Sequence, residues 1–320
     1  MKTLFCTLFE QHYHFGIAVL ANSLCASGFK GSIYAGFRGP LPPWAGDRVN
    51  MTESGKWEME ITPEVRIVFL LLETPAHFTN YKPDFLLQIA GLPAAEDCTL
   101  VYCDPDIIIN EMWDYFEDWL TCGVALCEDI NSPLPENHPR RIGWRRFFAP
   151  RGMVLKPRGA SYANGGFIGL RPQDRKLLTV WRDLLDQATA SLGGKDVAGI
   201  SGGRTFDGLC GFADCFRKTD QDLLNAAIEA CPEIEVSFLG PQAMGFLPGD
   251  AILPHSLGPA KPWRRRYFTE ALAARPPAIA DKVFWRYATG PIQPFSMAQI
   301  AWKKLSLAAG AAAGRFIRRT

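Results

Sequence analysis

The stretch that says most about the fold is Thr99-Leu100-Val101-Tyr102-Cys103-Asp104-Pro105-Asp106, in which a short strand-forming run ends in two carboxylates. A continuous run of this kind is typical of a strand buried on both faces, and α/β sheets bind ligands beyond the carboxyl ends of their strands. Two carboxylates one residue apart can turn toward one divalent cation, which can hold the phosphates of a nucleotide diphosphate. The alternative interpretation is a simple turn, because Asp and Pro both favour turns.

Strand and helix patterns alternate on the amino-terminal side of this run. Strands are predicted over Thr3–Phe9, Gly31–Phe37 and Val65–Leu72, the last being a strand buried on both faces. Helices are predicted over Phe15–Ala26 and from Lys82-Pro83 to Gly91. Two strand–helix–strand alternations in about 100 residues predict an α/β fold, with a largely parallel sheet covered by helices.

The carboxyl-terminal side is less regular. A helix is predicted over Met112–Trp119, strands over Gly123–Cys127 and Ser161–Leu170, and an amphipathic helix over Gln173–Ala190. The stretch Glu128–Arg158 contains five prolines and the basic-aromatic cluster Arg140–Phe148, so it is predicted to be a lid, a binding loop or a disordered segment. The glycine-rich stretch Gly193–Gly211 is predicted to be irregular.

Three motifs follow the two aspartates. Asn164-Gly165-Gly166 interrupts an apolar run, where glycines allow a ligand to approach the backbone; a β-bulge is the alternative. Thr219 and Asp222 predict a helix start with Thr219 as the N-cap, which leaves Asp220 and Gln221 free to bind sugar hydroxyls.

The third motif lies between two prolines, in the segment His255-Ser256-Leu257-Gly258-Pro259-Ala260-Lys261-Pro262-Trp263. An imidazole can supply a third metal ligand, a glycine permits close backbone approach, and a lysine can neutralise phosphate. The segment therefore predicts the remainder of a metal and diphosphate site begun by Asp104 and Asp106.

The order of these four motifs resembles that of the retaining glycosyltransferases of family 8, which include glycogenins and bacterial lipooligosaccharide galactosyltransferases. The similarity spans Thr3 to Trp263. It implies a GT-A fold, a Rossmann-like three-layer sandwich with a mixed, mostly parallel sheet. Residues 1–263 would be the catalytic domain, with a nucleotide-binding half over about 1–110 and an acceptor half over about 111–263.

The resemblance also implies a role for each matching position. Asp104, Asp106 and His255 match the family's manganese ligands; oxygen ligands with one imidazole suit Mn²⁺ better than Mg²⁺, the alternative ion. Positions that match contacts to the donor diphosphate and the donor sugar are Pro105, Gly258, Lys261, Asn164, Gly165 and Gly166. Asp220 matches a further donor-sugar contact, and Gln221 matches the residue nearest the reacting anomeric carbon.

The nucleotide end of the site departs from the family pattern. Leu8 and Tyr13 match positions around the nucleotide, and Tyr13 matches a tyrosine that stacks near the base. The family's polar segment before that tyrosine contains Asp, whereas here it reads Phe9-Glu10-Gln11-His12, so Glu10 is assigned the uracil contact. The family often has an Arg before the strand with the aspartates; Lys82 is the nearest basic residue and is assigned to phosphate.

The resemblance implies an Mn²⁺-dependent hexosyltransferase that moves a sugar from a UDP-sugar to a glycan or lipid-linked acceptor with retention. No carboxylate in the motifs is placed as a nucleophile, which favours front-face attack. Two alternatives stay open: a catalytically inactive subunit that binds sugar nucleotides, and a nucleotidyltransferase. A phosphatase is disfavoured because Ile107-Ile108-Ile109 follows the aspartates where a small hydroxyl residue is usual.

Charge is distributed unevenly along the chain. Residues 261–320 hold 12 Lys and Arg against 2 acidic residues, a net charge of +10 in a chain whose total is +1. Residues 264–320 are therefore predicted to be a basic, aromatic, helical appendage that binds an anionic membrane surface; a helix packed on the domain and a disordered tail are the alternatives. No nucleic-acid partner is expected, and the oligomeric state is not indicated.

The nine cysteines form no C-x-x-C pair, which favours reduced core thiols over a zinc site. The first nine residues are too short for a signal peptide, and no apolar run is long enough to cross a bilayer. We therefore expect a cytoplasmic protein, peripheral on the inner face of the membrane if the appendage binds lipid.

Overall fold

The computed structural model describes residues 2–52, 55–192, 194–196 and 213–316. Its strands are β1 (Thr3–Glu10), β2 (Gly31–Arg38), β3 (Asn50–Met51), β4 (Trp57–Thr62), β5 (Val65–Leu71), β6 (Thr99–Cys103), β7 (Val124–Glu128), β8 (Ala163–Leu170) and β9 (Val236–Leu239). Its α-helices are α1 (His14–Ser27), α2 (Phe78–Ala90), α3 (Trp113–Leu120), α4 (Pro139–Phe148), α5 (Lys176–Leu192), α6 (Thr219–Ala230), α7 (Tyr267–Leu272), α8 (Ile279–Tyr287) and α9 (Met297–Phe316). These elements confirm the predicted α/β fold with mixed parallel and antiparallel strand pairing.

The chain divides into two compact units that interleave along the sequence. The first unit comprises Met1–Leu8, Leu72–Tyr102 and Glu117–Pro241, and the second comprises Phe9–Leu71, Cys103–Phe116 and Gln242–Thr320. The division into a nucleotide half, an acceptor half and an appendage follows the sequence linearly and stays a prediction.

In the first unit the strand order is β1-β6-β8-β7-β9. Strand β1 pairs with β6 in parallel, and β7 pairs with β8 in antiparallel and with β9 in parallel. All eight residues of β8 and all five of β6 are buried, so both strands lie in the centre of this unit. Helix α5 packs on α2 and α6.

In the second unit the strand order is β3-β4-β5-β2, with β2 and β5 parallel and the other two pairs antiparallel. The hairpin β3–β4 was not predicted. Its partner β5 is buried on both faces over 67–69, as predicted, but not along its whole length, because Arg66 is exposed and Leu71 is 47% exposed. An uninterrupted apolar run cannot by itself distinguish a central strand from one with a partly solvated face.

Helix boundaries correct two further predictions. Helix α2 begins at Phe78, one turn before Lys82-Pro83, because the side chain of His77 accepts the backbone N–H of Thr79 and so caps the helix there. At α6 the N-cap is Lys218 rather than Thr219, whose hydroxyl donates to the carbonyl of Phe216 instead.

The stretch Glu128–Arg158 is not the predicted loop, because α4 occupies its centre. His138 accepts the backbone N–H of Arg140 at the start of this helix, and Pro139 occupies the first turn, where its missing N–H costs nothing. Arg141 is buried and lies 2.5 Å from Glu229 of α6. The basic cluster therefore contains a structural ion pair. The predicted irregular stretch Gly193–Gly211 lies outside the described residues except for 194–196.

The carboxyl-terminal residues form helices within the second unit. Helix α9 packs on α7 and α8, and α8 packs on α1. Ile300 and Gly310 are the inward positions of α9, and Tyr267, Phe284 and Trp285 belong to the same apolar cluster as Ile300. Ile317, Arg318 and Arg319 of the predicted tail lie outside the described residues. The eight described cysteines are free thiols; six of them are buried, Cys25 is half-buried and Cys122 is exposed.

Candidate functional site

Asp104, Asp106 and His255 come together in the second unit. One ligand atom from each of the three side chains lies within 4.8 Å of the others, although His255 follows Asp106 by 149 residues. Backbone pairing accounts for this meeting: Ile107 forms an antiparallel bridge with His255, and the N–H of Ser256 donates to the carbonyl of Asp106. The sequence prediction that these three residues converge is confirmed.

The donor set fits a hard or borderline divalent cation. Two carboxylates and one imidazole suit Mn²⁺, and ligand atoms that share such an ion at about 2.1 Å lie at most about 4.2 Å apart. The three atoms are therefore within a small side-chain adjustment of coordination geometry. Nδ1 of His255 is buried and has no hydrogen-bond partner among the described residues, so one imidazole nitrogen is available for such a role.

Lys261 supplies the positive charge of this cluster. Its Nζ lies 2.5 Å from Oδ2 of Asp106 and 2.7 Å from the carbonyl of Ser256, and it is buried. Burial alone would raise the pKa of Asp106, but His255 and Lys261 hold that pKa well below its usual range. Burial would lower the pKa of Lys261, whereas Asp106 raises it above its ordinary value. The pair is therefore an ionised carboxylate beside an ammonium group.

A glycine in α1 allows the aspartate turn to approach the helix. A Cβ atom at Gly16 would lie 2.1 Å from the carbonyl oxygen of Pro105 and 3.0 Å from the Trp263 ring. No side chain fits in this space, so helix and turn pack backbone against backbone. Gly258, between His255 and Lys261, has φ +79°, a conformation that favours glycine.

Aromatic rings lie beside Lys261. The His12 and Tyr13 rings stack with centroids 4.7 Å apart, and the indole N–H of Trp263 donates to Nδ1 of His12 over 3.0 Å. Nζ of Lys261 lies 5.8 Å from the centroid of the Tyr13 ring. Tyr13 therefore lies in the second unit beside Lys261, the residue predicted to bind the donor diphosphate. One face of the Tyr13 ring is already stacked on His12.

Glu10 and Leu8 occupy different environments. Oε2 of Glu10 lies 3.5 Å from Nε of Arg38, so its carboxylate already has a cationic neighbour. Leu8 belongs to the first unit and its side chain is buried within β1, where only its main chain could contact a ligand. The nucleotide roles assigned to both residues stay predictions.

The remaining predicted residues converge in the first unit, where β8 meets the start of α6. Oε1 of Gln221 accepts the backbone N–H of Gly165 over 3.0 Å. Nζ of Lys82 donates to the carbonyl of Gly165 over 2.8 Å and to Oδ2 of Asp220 over 2.9 Å. A Cβ atom at Gly165 would lie 2.9 Å from that Asp220 oxygen. The glycine therefore admits the Asp220 carboxylate, and the ligand contact predicted for Gly165 stays a prediction.

Lys82 is buried among protein groups, and the phosphate role assigned to it stays a prediction. The residue is 2% exposed, and its Nζ makes the two contacts just described. Because an ammonium group has three donors, these contacts account for most of its hydrogen-bonding capacity. The arrangement makes Lys82 a support for Asp220 and Gly165.

Asn164 and Gly166 are tied to each other and to a residue that the sequence analysis missed. Oδ1 of Asn164 accepts the backbone N–H of Gly166 over 2.9 Å, and its Nδ2 donates to Asp129 over 2.8 Å. Asp129 directly follows β7. The rule that ligands and their supports gather at strand ends, applied to the predicted strand Gly123–Cys127, could have identified it.

Asp222, in the first turn of α6 with Asp220 and Gln221, makes its own set of polar contacts. Its carboxylate accepts the Tyr162 hydroxyl over 2.6 Å and the backbone N–H of Lys218 over 2.9 Å, and Nη1 of Arg140 lies 3.4 Å away. Burial raises the pKa of Asp222 to about 7, although Arg140 and the Tyr162 hydroxyl favour its ionised form. Asp222 therefore accepts a backbone N–H at the start of α6, close to the role predicted for it, and also belongs to a buried polar network with Tyr162 and Arg140.

Comparisons with known proteins identify the fold. No protein-family model and no characterised protein sequence matches the chain. Among solved structures, a galactosyltransferase, LgtC, in complex with donor and acceptor sugar analogues, is 15% identical, with a TM-score of 0.52 over 89% of this chain and 95% of that one.

Two further glycosyltransferases are similar. The bifunctional enzyme WbbM is 14% identical, with a TM-score of 0.52 over 94% of this chain and 51% of its own. GlyE of Streptococcus pneumoniae is 16% identical, with a TM-score of 0.50 over 97% of this chain and 64% of its own. The chain therefore has the GT-A glycosyltransferase fold, in agreement with the family 8-like architecture predicted from its motifs.

Proposed function

We propose that the protein is a glycosyltransferase that uses a nucleotide-diphosphate sugar as donor and a divalent cation held by Asp104, Asp106 and His255. The observation that carries this proposal is the convergence of three metal-ligand side chains from distant parts of a chain with a glycosyltransferase fold. A buried lysine beside them supplies a further positive charge for a diphosphate.

The proposed donor is a UDP-sugar and the proposed ion is Mn²⁺, which would neutralise charge on the departing diphosphate. Lys261 binds the diphosphate next to Asp106, with Pro105 and Gly258 contributing backbone contacts, while Tyr13, Glu10 and Leu8 surround the nucleotide. Asn164, Gly165, Gly166 and Asp220 bind the donor sugar, and Gln221 lies nearest the anomeric carbon. Transfer proceeds with retention to a glycan or lipid-linked acceptor.

A screen of nucleotide sugars tests this function. The purified protein is mixed with each sugar and Mn²⁺, and the release of nucleoside diphosphate and the melting temperature are measured in parallel. We expect one UDP-sugar to raise the melting temperature and to be hydrolysed slowly in the absence of acceptor. Stabilisation without hydrolysis, even with acceptors present, would favour the inactive binding subunit. Release of pyrophosphate from UTP and a sugar phosphate would favour a nucleotidyltransferase.

We also propose that α9 binds the surface of an anionic membrane, on the cytoplasmic side. No helix among the described residues is long and apolar enough to span a bilayer. Residues 294–320 contain no acidic side chain, and Trp302 and Leu305 are 67% and 63% exposed beside the exposed Lys304. An apolar face combined with cationic side chains is the composition of helices that lie in a lipid interface.

Vesicle sedimentation tests the membrane proposal. The full chain is expected to sediment with vesicles that contain anionic lipid and to be released at high salt, because screening weakens the attraction. The double variant W302E/L305E should lose most of this binding. V154E, which changes a side chain that is 70% exposed and outside the appendage, is the control. Equal sedimentation of all three proteins would contradict the proposal.

A further inference from the structure

Asp129 is a buried carboxylate at the end of β7 that the proposed function leaves without a role. It is 0% exposed, and its side chain accepts hydrogen bonds from three residues. Oδ1 accepts the backbone N–H and the side-chain amide of Asn131, with the backbone contact at 3.0 Å. Oδ2 accepts Nδ2 of Asn164 over 2.8 Å, and Nζ of Lys218 lies 3.2 Å from Oδ1. A carboxylate with this many donors is stable in the interior only in its ionised form.

These contacts determine how the amide of Asn164 is oriented. A carboxylate can only accept hydrogen bonds, so the Asn164 atom that faces Asp129 must be the nitrogen. The opposite atom, Oδ1, accepts the N–H of Gly166. One hydrogen on Nδ2 is left, and it is the donor that Asn164 can offer to a sugar hydroxyl.

Lys218 extends the same arrangement to helix α6. It is the N-cap of α6 and directly precedes the turn that contains Asp220 and Gln221. Its ammonium group is therefore tied to the carboxylate that also holds Asn164. One buried charge thus links β8 to the start of α6, the two elements that carry the proposed sugar-binding residues.

We infer that Asp129 is a positioning residue, which fixes the amide of Asn164 and the start of α6 for the donor sugar. The inference rests on the proposed glycosyltransferase function and adds a residue to it. Asp129 does not touch the substrate in this account, because its oxygens face Asn131, Asn164 and Lys218 and the residue is fully buried.

The variant D129N tests the inference, because it preserves size and removes the charge. Its amide nitrogen would face Asn164 or Lys218, both donors, so the Asn164 amide would lose its fixed orientation. We expect kcat for donor hydrolysis to fall by roughly 10–100-fold, the usual loss when a supporting partner of a site residue is removed. The matched control is D174N, which removes a buried carboxylate of the same unit that pairs with Arg171.

A double-mutant cycle separates positioning from general stabilisation. If Asp129 acts partly through Asn164, N164A already removes that part of what D129N disturbs, and the double variant D129N/N164A should lose less activity than the product of the two single losses. If kcat of the double variant falls by the product of the two single losses, the two residues act independently and the inference is overturned. It is also overturned if D129N and D174N are equally active. If the wild type neither hydrolyses nor is stabilised by any nucleotide sugar, the proposed function fails and the inference fails with it. An active wild type with an equally active D129N rejects the inference alone.

Discussion

Replacing Asp106 by asparagine is expected to lower Mn²⁺-dependent hydrolysis of the donor by roughly 10²–10³-fold. A metal ion contributes several kcal/mol of transition-state stabilisation, and each 1.36 kcal/mol corresponds to about a tenfold change in rate. Asp106 is the centre of the cluster, because its two oxygens contact His255 at 3.4 Å and Lys261 at 2.5 Å. Asparagine keeps the shape but removes the charge that pairs with the lysine and that would hold the proposed cation.

The control for this variant is D114N, the same change at an exposed carboxylate of the same unit. Hydrolysis rates are measured over a range of Mn²⁺ concentrations, with circular dichroism to verify that each variant is folded. If D106N and D114N retain the activity of the wild type, Asp106 is not a metal ligand.

The second large effect concerns stability. Replacing Arg141 by methionine is expected to cost about 3–5 kcal/mol, the usual penalty for breaking a buried ion pair from one side. Glu229 is 2% exposed and would keep only the longer contact to Arg145, at 3.3 Å. The carbonyls of Leu134 and Gly159 would also lose the donor that Arg141 provides. The measurement is the urea midpoint followed by tryptophan fluorescence.

R146M is the matched control, since Arg146 lies on the same helix and is exposed. It should change the midpoint little. The double variant R141M/E229M removes both charges and should regain much of the stability lost in R141M, because two apolar side chains leave no unpaired carboxylate. A midpoint for R141M equal to that of R146M would show that α4 is not held by this pair.

Sequence patterns identified the elements that carry the candidate metal site. Alternating strands and helices predicted the α/β fold, and a strand that ends in Asp104 and Asp106 predicted where a cation would bind. His255 was added because an imidazole can supply a third ligand and because the motif order resembles a known family, since spacing alone does not bring residues 149 positions apart together. The bridge between Ile107 and His255 supplies the physical reason for that convergence.

The supports of the sugar-binding residues could not be predicted in the same way. Lys82 was assigned to phosphate by its charge, a role that stays a prediction, and its buried ion pair with Asp220 was not foreseen. Arg141 was assigned to a loop because prolines surround it, whereas one of those prolines starts helix α4. Asp129 belongs to none of the four motifs, and only its place after the predicted strand Gly123–Cys127 could have pointed to it. The contacts of Lys82, Arg141 and Asp129 with Asp220, Glu229 and Asn164 join residues far apart in sequence, which local patterns do not record.

The most direct test of the metal-dependent mechanism is a titration of chelator-treated protein with Mn²⁺, in the presence of the donor found in the screen. Bound Mn²⁺ is measured by electron paramagnetic resonance, and donor hydrolysis is measured in the same samples. The structure predicts one bound ion per chain, with hydrolysis rising in proportion to its occupancy, and loss of both in H255A. Full hydrolysis by chelated protein, without bound metal, would contradict the account.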